Sequence, residues 1–148
     1  MKVRHATIED FPVICRMARD FHQCTAYNAI EFDDASCFLL FQDALEKEMV
    51  FVSENSQITG FIIGLPFPCP LNRMKTMVSE LAWWVDPEFR NTSAGIRLLQ
   101  TLERAAKAYG SISLTMICLE SLEPEKIQGI YERIGYAQTE RSFMRSFG

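Results

Sequence analysis

The residues best spaced for chemistry are Arg90-Asn91-Thr92-Ser93-Ala94-Gly95-Ile96, which follow a strand-like run and open a helical one. The first N–H groups of a helix have no intrahelical partner, and the helix dipole places partial positive charge on them. Ser93, Ala94 and Gly95 are small enough for an anion to approach that backbone, and Arg90 can supply a full charge. The stretch is therefore suited to cradle a phosphate or pyrophosphate. The same residues also suit an ordinary helix start, with Thr92 or Ser93 as N-cap and Arg90 solvated. Other reactive side chains are sparse. Cys15, Cys24, Cys37, Cys69 and Cys118 are odd in number, far apart and without a C-x-x-C pair, so neither a disulfide framework nor a zinc site is expected. Nothing near Cys118 lowers a thiol pKa, which fits inert packing better than nucleophilic work.

The loop needs a strand to deliver it and a helix to follow it. Residues 76–85, with Leu81, Trp83, Trp84 and Val85, read as the strand. Neighbouring Trp83 and Trp84 must then face opposite sides of it. Ile96, Leu99, Leu102, Ala106 and Tyr109 form an apolar stripe on a helix from about Ser93 that Gly110 ends. Upstream, residues 1–6 read as an edge strand, and Thr7 with Asp10 resembles a capping box for a helix from Ile8 to about Gln23. A loop over 24–32 leads to a second helix capped by Asp33 or Asp34, with Cys37, Phe38, Phe41 and Leu45 on one face. Residues 49–52 and 58–63 form a hairpin about the polar turn 53–57. Pro66, Pro68 and Pro70 predict an extended loop. Residues 112–119 read as a strand, 125–134 as a helix stopped by Gly135, and 136–148 as one or two short strands. The order β-α-α-β-β-β-α-β-α-β predicts an α+β or α/β sheet. There are no repeats and no linker, so residues 1–148 are expected to make one domain.

Composition narrows the function. The chain has 148 residues, 48% apolar and 23% charged, with a net charge of −4, values ordinary for a globular protein with one core. An acidic balance argues against a sequence-independent grip on nucleic acid. Charged residues near the N-terminus leave no apolar signal core, and the run Phe61–Leu65 is too short to cross a bilayer. Reduced thiols in a cytoplasmic protein, with no membrane partner, are the expectation. An exposed apolar final strand would allow a homodimer.

With these elements placed, residues Val85 to Gly95 resemble motif A of the GNAT acetyltransferases. That loop reads Arg/Gln-x-x-Gly-x-Gly/Ala after a strand ending in Val-x-Pro; Val85, Pro87, Arg90 and Gly95 match. Leu98-Leu99 fall where the family has helix leucines, and Tyr131-Glu132-Arg133-Ile134-Gly135-Tyr136 looks like its Tyr-x-x-x-Gly-Phe/Tyr segment. Two positions depart from the pattern: Ser93 replaces the first loop glycine, and Pro124 stands where an asparagine often precedes the tyrosine by seven residues.

The resemblance implies a mixed, splayed sheet of six to seven strands flanked by about four helices, with acetyl-CoA as cosubstrate and no metal. It implies that the backbone of Trp83, Trp84 and Val85 pairs with the pantetheine. The N–H groups from Asn91 through Thr92, Ser93, Ala94 and Gly95 to Ile96, with Arg90, would hold the pyrophosphate. It places Tyr131 at the cofactor as the acid that protonates the departing thiolate. An amine of pKa ~10.4 must lose a proton before attack, and Glu80 lies near the family's usual carboxylate base, although a solvated strand carboxylate is an equal reading. Glu120 is the reserve. The loops at 24–32, with Tyr27, Asn28 and Glu31, and at 66–75, with Phe67, Arg73 and Lys75, would wall the acceptor site. The expected activity is direct acetyl transfer to a small-molecule or peptide amine. Its rival is a catalytically silent acyl-CoA-binding module that acts through a protein partner.

Overall fold

The computed structural model describes residues 1–148, in chain order β1 (Lys2–His5), α1 (Phe11–Gln23), α2 (Asp34–Glu46), β2 (Val50–Asn55), β3 (Gln57–Cys69), β4 (Asn72–Val85), α3 (Ala94–Tyr109), β5 (Leu114–Thr115) and α4 (Pro124–Arg133). One sheet runs in the order β1-β2-β3-β4-β5. Its pairings are antiparallel except the last, where β4 and β5 are parallel. The result is an α+β fold on a mixed sheet.

Local chemistry sets the helix ends. The Thr7 backbone N–H donates to Asp10 Oδ2 at 2.8 Å, and a 3-10 turn at Ile8–Asp10 leads into α1. Asp33 Oδ2 accepts from the Ser36 backbone at 2.9 Å and caps α2. Gly110, at φ 92°, supplies the left-handed residue that ends α3. The helices cover both faces of the sheet. Ile14, Met17 and Phe41 of α1 and α2 pack on Val50, Val52, Phe61, Ile63, Ala82 and Trp84. On the other face Leu98, Leu102 and Ala106 of α3 pack on Phe51, Ile62, Val78 and Val85.

Three expectations need correction. The prolines do not break the chain into a loop, because β3 runs through Pro66 and Pro68, which face Val78 and Thr76 of β4. β2 ends its pairing at Ile63, and the Gly64 N–H already donates to Met49 O at 2.9 Å. By strand alternation the nitrogens of residues 66 and 68 face that same side, where no strand lies alongside, so no ladder bond is lost. The turn predicted over 53–57 is tighter than expected. Both strands continue to Asn55 and Gln57 about Ser56, at φ 62°, because Ser53 and Thr59 satisfy each other inside, Oγ to Oγ1 at 2.8 Å. Finally, the sheet has five strands, not six or seven: β5 is two residues long, and no strand forms after Gly135. Phe143 and Phe147 stay exposed there, so the final strand expected to pair two chains is absent.

The end of β4 is held at a close contact. A Cβ on Gly60 would lie 2.7 Å from Trp84 O and 3.0 Å from Ser53 Oγ, whereas one on Gly129 in α4 would meet nothing within 4 Å. Gly60→Ala is expected to destabilise the protein by about 1–3 kcal/mol, and Gly129→Ala to stabilise it by up to ~1 kcal/mol. Paired thermal or urea unfolding checks both; a neutral Gly60→Ala would contradict the contact.

Candidate active site

β4 and β5 part company almost as soon as they meet. They pair only at Val78 with Leu114 and Ser79 with Thr115, so Glu80 to Val85 have no strand partner on that side. Asp86 donates its N–H to Thr59 O at 2.9 Å on the β3 side. Strand alternation therefore turns the N–H and C=O of Val85 and Trp83 the other way, into the gap. Between them and Ser79 the register slips: Ile63 faces Ala82 but Gly64 faces Glu80, leaving Leu81 as an extra residue. The bulge brings Glu80 to the mouth of the gap.

Glu80 is 2% exposed, and its Oε2 has no hydrogen-bond partner. It lines a cavity of about 40 Å³ with Phe21, Trp83, Ile117, Leu119, Leu122 and Ile127. Apolar surroundings penalise its charge and push its pKa up to about 8. A buried carboxylate of this kind suits a base or acid more than a solvated strand face. Tyr131 of α4 is buried alongside, its ring centroid 6.0 Å from that of Trp83, and its hydroxyl donates to Ile117 O at 2.6 Å. Burial raises the phenol's pKa well above its usual range, and the Glu80 charge raises it further, so the two groups sense each other. Tyr136 packs against Tyr131 with ring centroids 5.8 Å apart, tilted by 45°, and donates to Glu103 Oε2 of α3 at 3.0 Å, tying α4 to α3.

The small-residue loop lies at the far end of the gap. Ser93 precedes α3 without a side-chain capping bond, and its C=O accepts the first helical N–H, from Arg97 at 3.0 Å. Thr92 N–H donates to Phe89 O and Ala94 N–H to Thr92 Oγ1. The N–H groups of Asn91, Ser93, Gly95 and Ile96 find no acceptor on the chain. Four free donors at the start of a 16-residue helix fit an anion. Gly95 has a different part: a Cβ there would sit 3.4 Å from the Trp83 ring, so the residue faces the sheet. Arg90 Nε donates to Val85 O at 2.8 Å, and its guanidinium lies 4.4 Å over the Trp84 ring.

Other expectations are placed less centrally. Trp83 packs with the α3 core and Trp84 with the α1–α2 core, so they do face opposite sides. Glu120, Asn28, Glu31, Arg73 and Lys75 are exposed, and Tyr27 is half exposed. The Cys118 thiol donates to Pro124 O at 3.3 Å, and burial pushes its pKa up, away from thiolate chemistry. No three His, Cys, Asp or Glu side chains gather as metal ligands, and no helix is long and apolar enough to cross a membrane. The apolar lining from Phe21, Leu119, Leu122 and Ile127 was not anticipated, although Phe21 is on the apolar stripe of α1. Nor was Asp86, which is buried and accepts from Trp84 Nε1 at 3.0 Å and Arg16 Nη2 at 2.8 Å.

Known structures share this fold. The ribosomal-protein-alanine N-acetyltransferase from Brucella melitensis biovar Abortus 2308 superposes with a TM-score of 0.72 at 17% identity, over 99% of this chain and 100% of that one. AAC(6')-Iy, in complex with the bisubstrate analogue CoA-S-monomethyl-acetylneamine, gives a TM-score of 0.75 at 14% identity, over 99% and 97%. The aminoglycoside 6'-N-acetyltransferase AAC(6')-Ig from Acinetobacter haemolyticus gives 0.71 at 12% identity, over 100% and 99%. At such identities the likeness is one of fold. No curated protein sequence matches. The family model described as "Acetyltransferase (GNAT) domain" matches residues 46–138, a span that runs from the end of α2 through the bulge, the loop and Tyr131. That match covers more than half of the chain, which therefore belongs to the GNAT acetyltransferase family.

Proposed function

We infer that this protein transfers an acetyl group from acetyl-CoA to a primary amine by direct attack within a ternary complex, in the cytoplasm and as one acyltransferase domain. The observation that carries the reading is the buried, unpartnered carboxylate of Glu80 at the mouth of a strand gap whose far end offers free helix N–H groups. Acetyl-CoA supplies an activated thioester. The gap-facing N–H and C=O of Trp83 and the N–H of Val85, beside Trp84, suit the amides of its pantetheine arm. The free N–H groups of Asn91, Ser93, Gly95 and Ile96, on a loop that Thr92 and Ala94 bond internally and Arg90 adjoins, suit its pyrophosphate.

The residues divide the proton work. Glu80 takes a proton from the incoming ammonium, directly or through water, which frees the nitrogen lone pair to form the N–C bond. As the C–S bond breaks, Tyr131 moves its hydroxyl proton to the departing sulfur. An ordinary phenol, pKa ~10, is a weaker acid than an ordinary thiol, pKa ~8.5. The enclosure that raises the phenol also desolvates the thiolate, so the sulfur's basicity rises in step. The acceptor is an amine small or extended enough to reach past Phe21, Leu119 and Leu122. Structural neighbours named for acetylating aminoglycosides and ribosomal-protein alanine make both small and peptide amines reasonable classes.

An amine screen read by release of free thiol tests the activity. A protein that acetyl-CoA stabilises but that releases thiol with no amine would instead be the silent binding module, a reading favoured by Ser93 and Pro124 at positions where the family pattern differs. Tyr131→Phe is expected to lower kcat about 10²-fold with little change in acetyl-CoA affinity; unchanged kcat would remove Tyr131 from the mechanism. For Glu80 the sign of pH dependence differs between rate and stability. The base works when ionised, so kcat/KM should climb with pH and level off above about 8. The unfolded chain releases this proton near pH ~4.3, whereas the folded protein holds it to about 8. Folded stability due to this group is therefore full below the lower value and is lost as pH rises to the upper one. Glu80→Gln should abolish both trends, which rate and melting profiles between pH 4 and 9 measure.

A further inference from the structure

Arg90 matches the charged position of the family loop, yet its side chain is already engaged by the protein. Nε donates to Val85 O at 2.8 Å. The guanidinium plane covers the Trp84 indole at 4.4 Å, and Nη2 is buried without a partner. Trp84 is itself fixed: its Nε1 donates to Asp86 Oδ1 at 3.0 Å, and Asp86 is held by Arg16 of α1 at 2.8 Å. The chain Arg16–Asp86–Trp84–Arg90 thus runs from α1, across the end of β4, to the first residue of the small-residue loop.

We propose that Arg90 is a positioning residue, which pins the loop to the last peptide of β4, and that it serves the pyrophosphate through the backbone and not through its charge. Val85 O is the gap-facing carbonyl nearest the loop. Joining it to a residue five positions on fixes how far the free N–H groups of Asn91, Ser93, Gly95 and Ile96 stand from the open strand edge. A ligand that must touch both at once depends on that spacing. The bond and the stacking together need a planar, forked cation; a lysine ammonium keeps the charge but cannot lie flat on the indole while donating to Val85 O.

The inference takes its ligand from the acetyl-CoA reading, but its first test does not. Amide hydrogen exchange of the ligand-free protein over residues 86–96 is compared for wild type, Arg90→Lys and Arg90→Gln. Both variants should exchange faster there by roughly tenfold or more, with little change in the helices α1 and α2. Calorimetric Kd values for CoA should then rise by roughly tenfold in both variants alike. A lysine variant with wild-type CoA affinity beside a weakened glutamine variant would show a charge role and overturn the proposal. Exchange in the loop unchanged by either substitution would overturn it too. A wild-type protein that fails to bind CoA would defeat the acetyl-CoA reading, while the exchange comparison would still decide whether Arg90 pins the loop.

Discussion

The parting of β4 from β5 after two paired residues governs the rest of this molecule. Backbone N–H and C=O groups inside a protein are almost always hydrogen-bonded, and a strand interior abandoned by its neighbour exposes a row of them. Here the row includes Trp83 and the N–H of Val85, whose C=O is taken by Arg90 Nε, at the same edge as a carboxylate too buried to meet water freely. The fold tolerates this because the opposite edge of β4 is fully committed to β3 along nearly its whole length, from Cys69 opposite Asn72 to Gly60 opposite Val85. Two helical cores clamp that pair from both faces. One side of the strand is anchored so that the other can remain available.

The bulge at Leu81 connects this constraint to chemistry. Without the extra residue, Glu80 and Trp83 would keep simple alternation, and no single enclosure could hold side chains from both. With it, the carboxylate and the indole line one cavity with Phe21 of α1 and Ile127 of α4. The cavity is therefore a junction of the two helical layers through the open part of the sheet. Its apolar lining has a double consequence: it holds the Glu80 proton to about pH 8, and it pushes the Tyr131 phenol well above its usual range. The carboxyl and the phenol are shifted by one enclosure, with no neighbouring cation.

The elements that were legible in the sequence are those with local signals. α1, α2, α3 and α4 announce themselves by caps, apolar spacing and terminal glycines, and the strand before the loop by its Trp-Trp-Val run. What was not legible depends on partners distant in sequence. Pro66 and Pro68 look like breakers until one knows that β2 has already ended alongside them. The segment after Gly135 has two phenylalanines in a polar setting, which suggested a strand, but Phe143 and Phe147 find nothing to pack on and remain exposed. Glu80 could be placed on its strand, yet its burial comes from Phe21, Leu119 and Leu122, side chains about 40 to 60 positions away. The bulge that turns it inward exists only in the register with β3.

The two departures from the family pattern follow the same logic. Ser93 sits at φ −78° and ψ 0°, dihedrals open to any residue, so a glycine is not needed there for backbone reasons. Its side chain is exposed and makes no capping bond; the N–H donors beside it therefore stay free. A serine that folded back to cap the helix would compete with an anion for those donors. Pro124 opens α4 at the position where a missing N–H costs no helical bond. It follows Glu123, held in a left-handed conformation at φ 44°, and its carbonyl accepts from Cys118. That turn carries the chain from the cavity wall of Leu119 and Leu122 into the helix that presents Tyr131. The substitutions thus fall where backbone geometry, not side-chain identity, shapes the loop and the helix start, and Glu80 and Tyr131, the groups proposed for proton transfer, keep their enclosure.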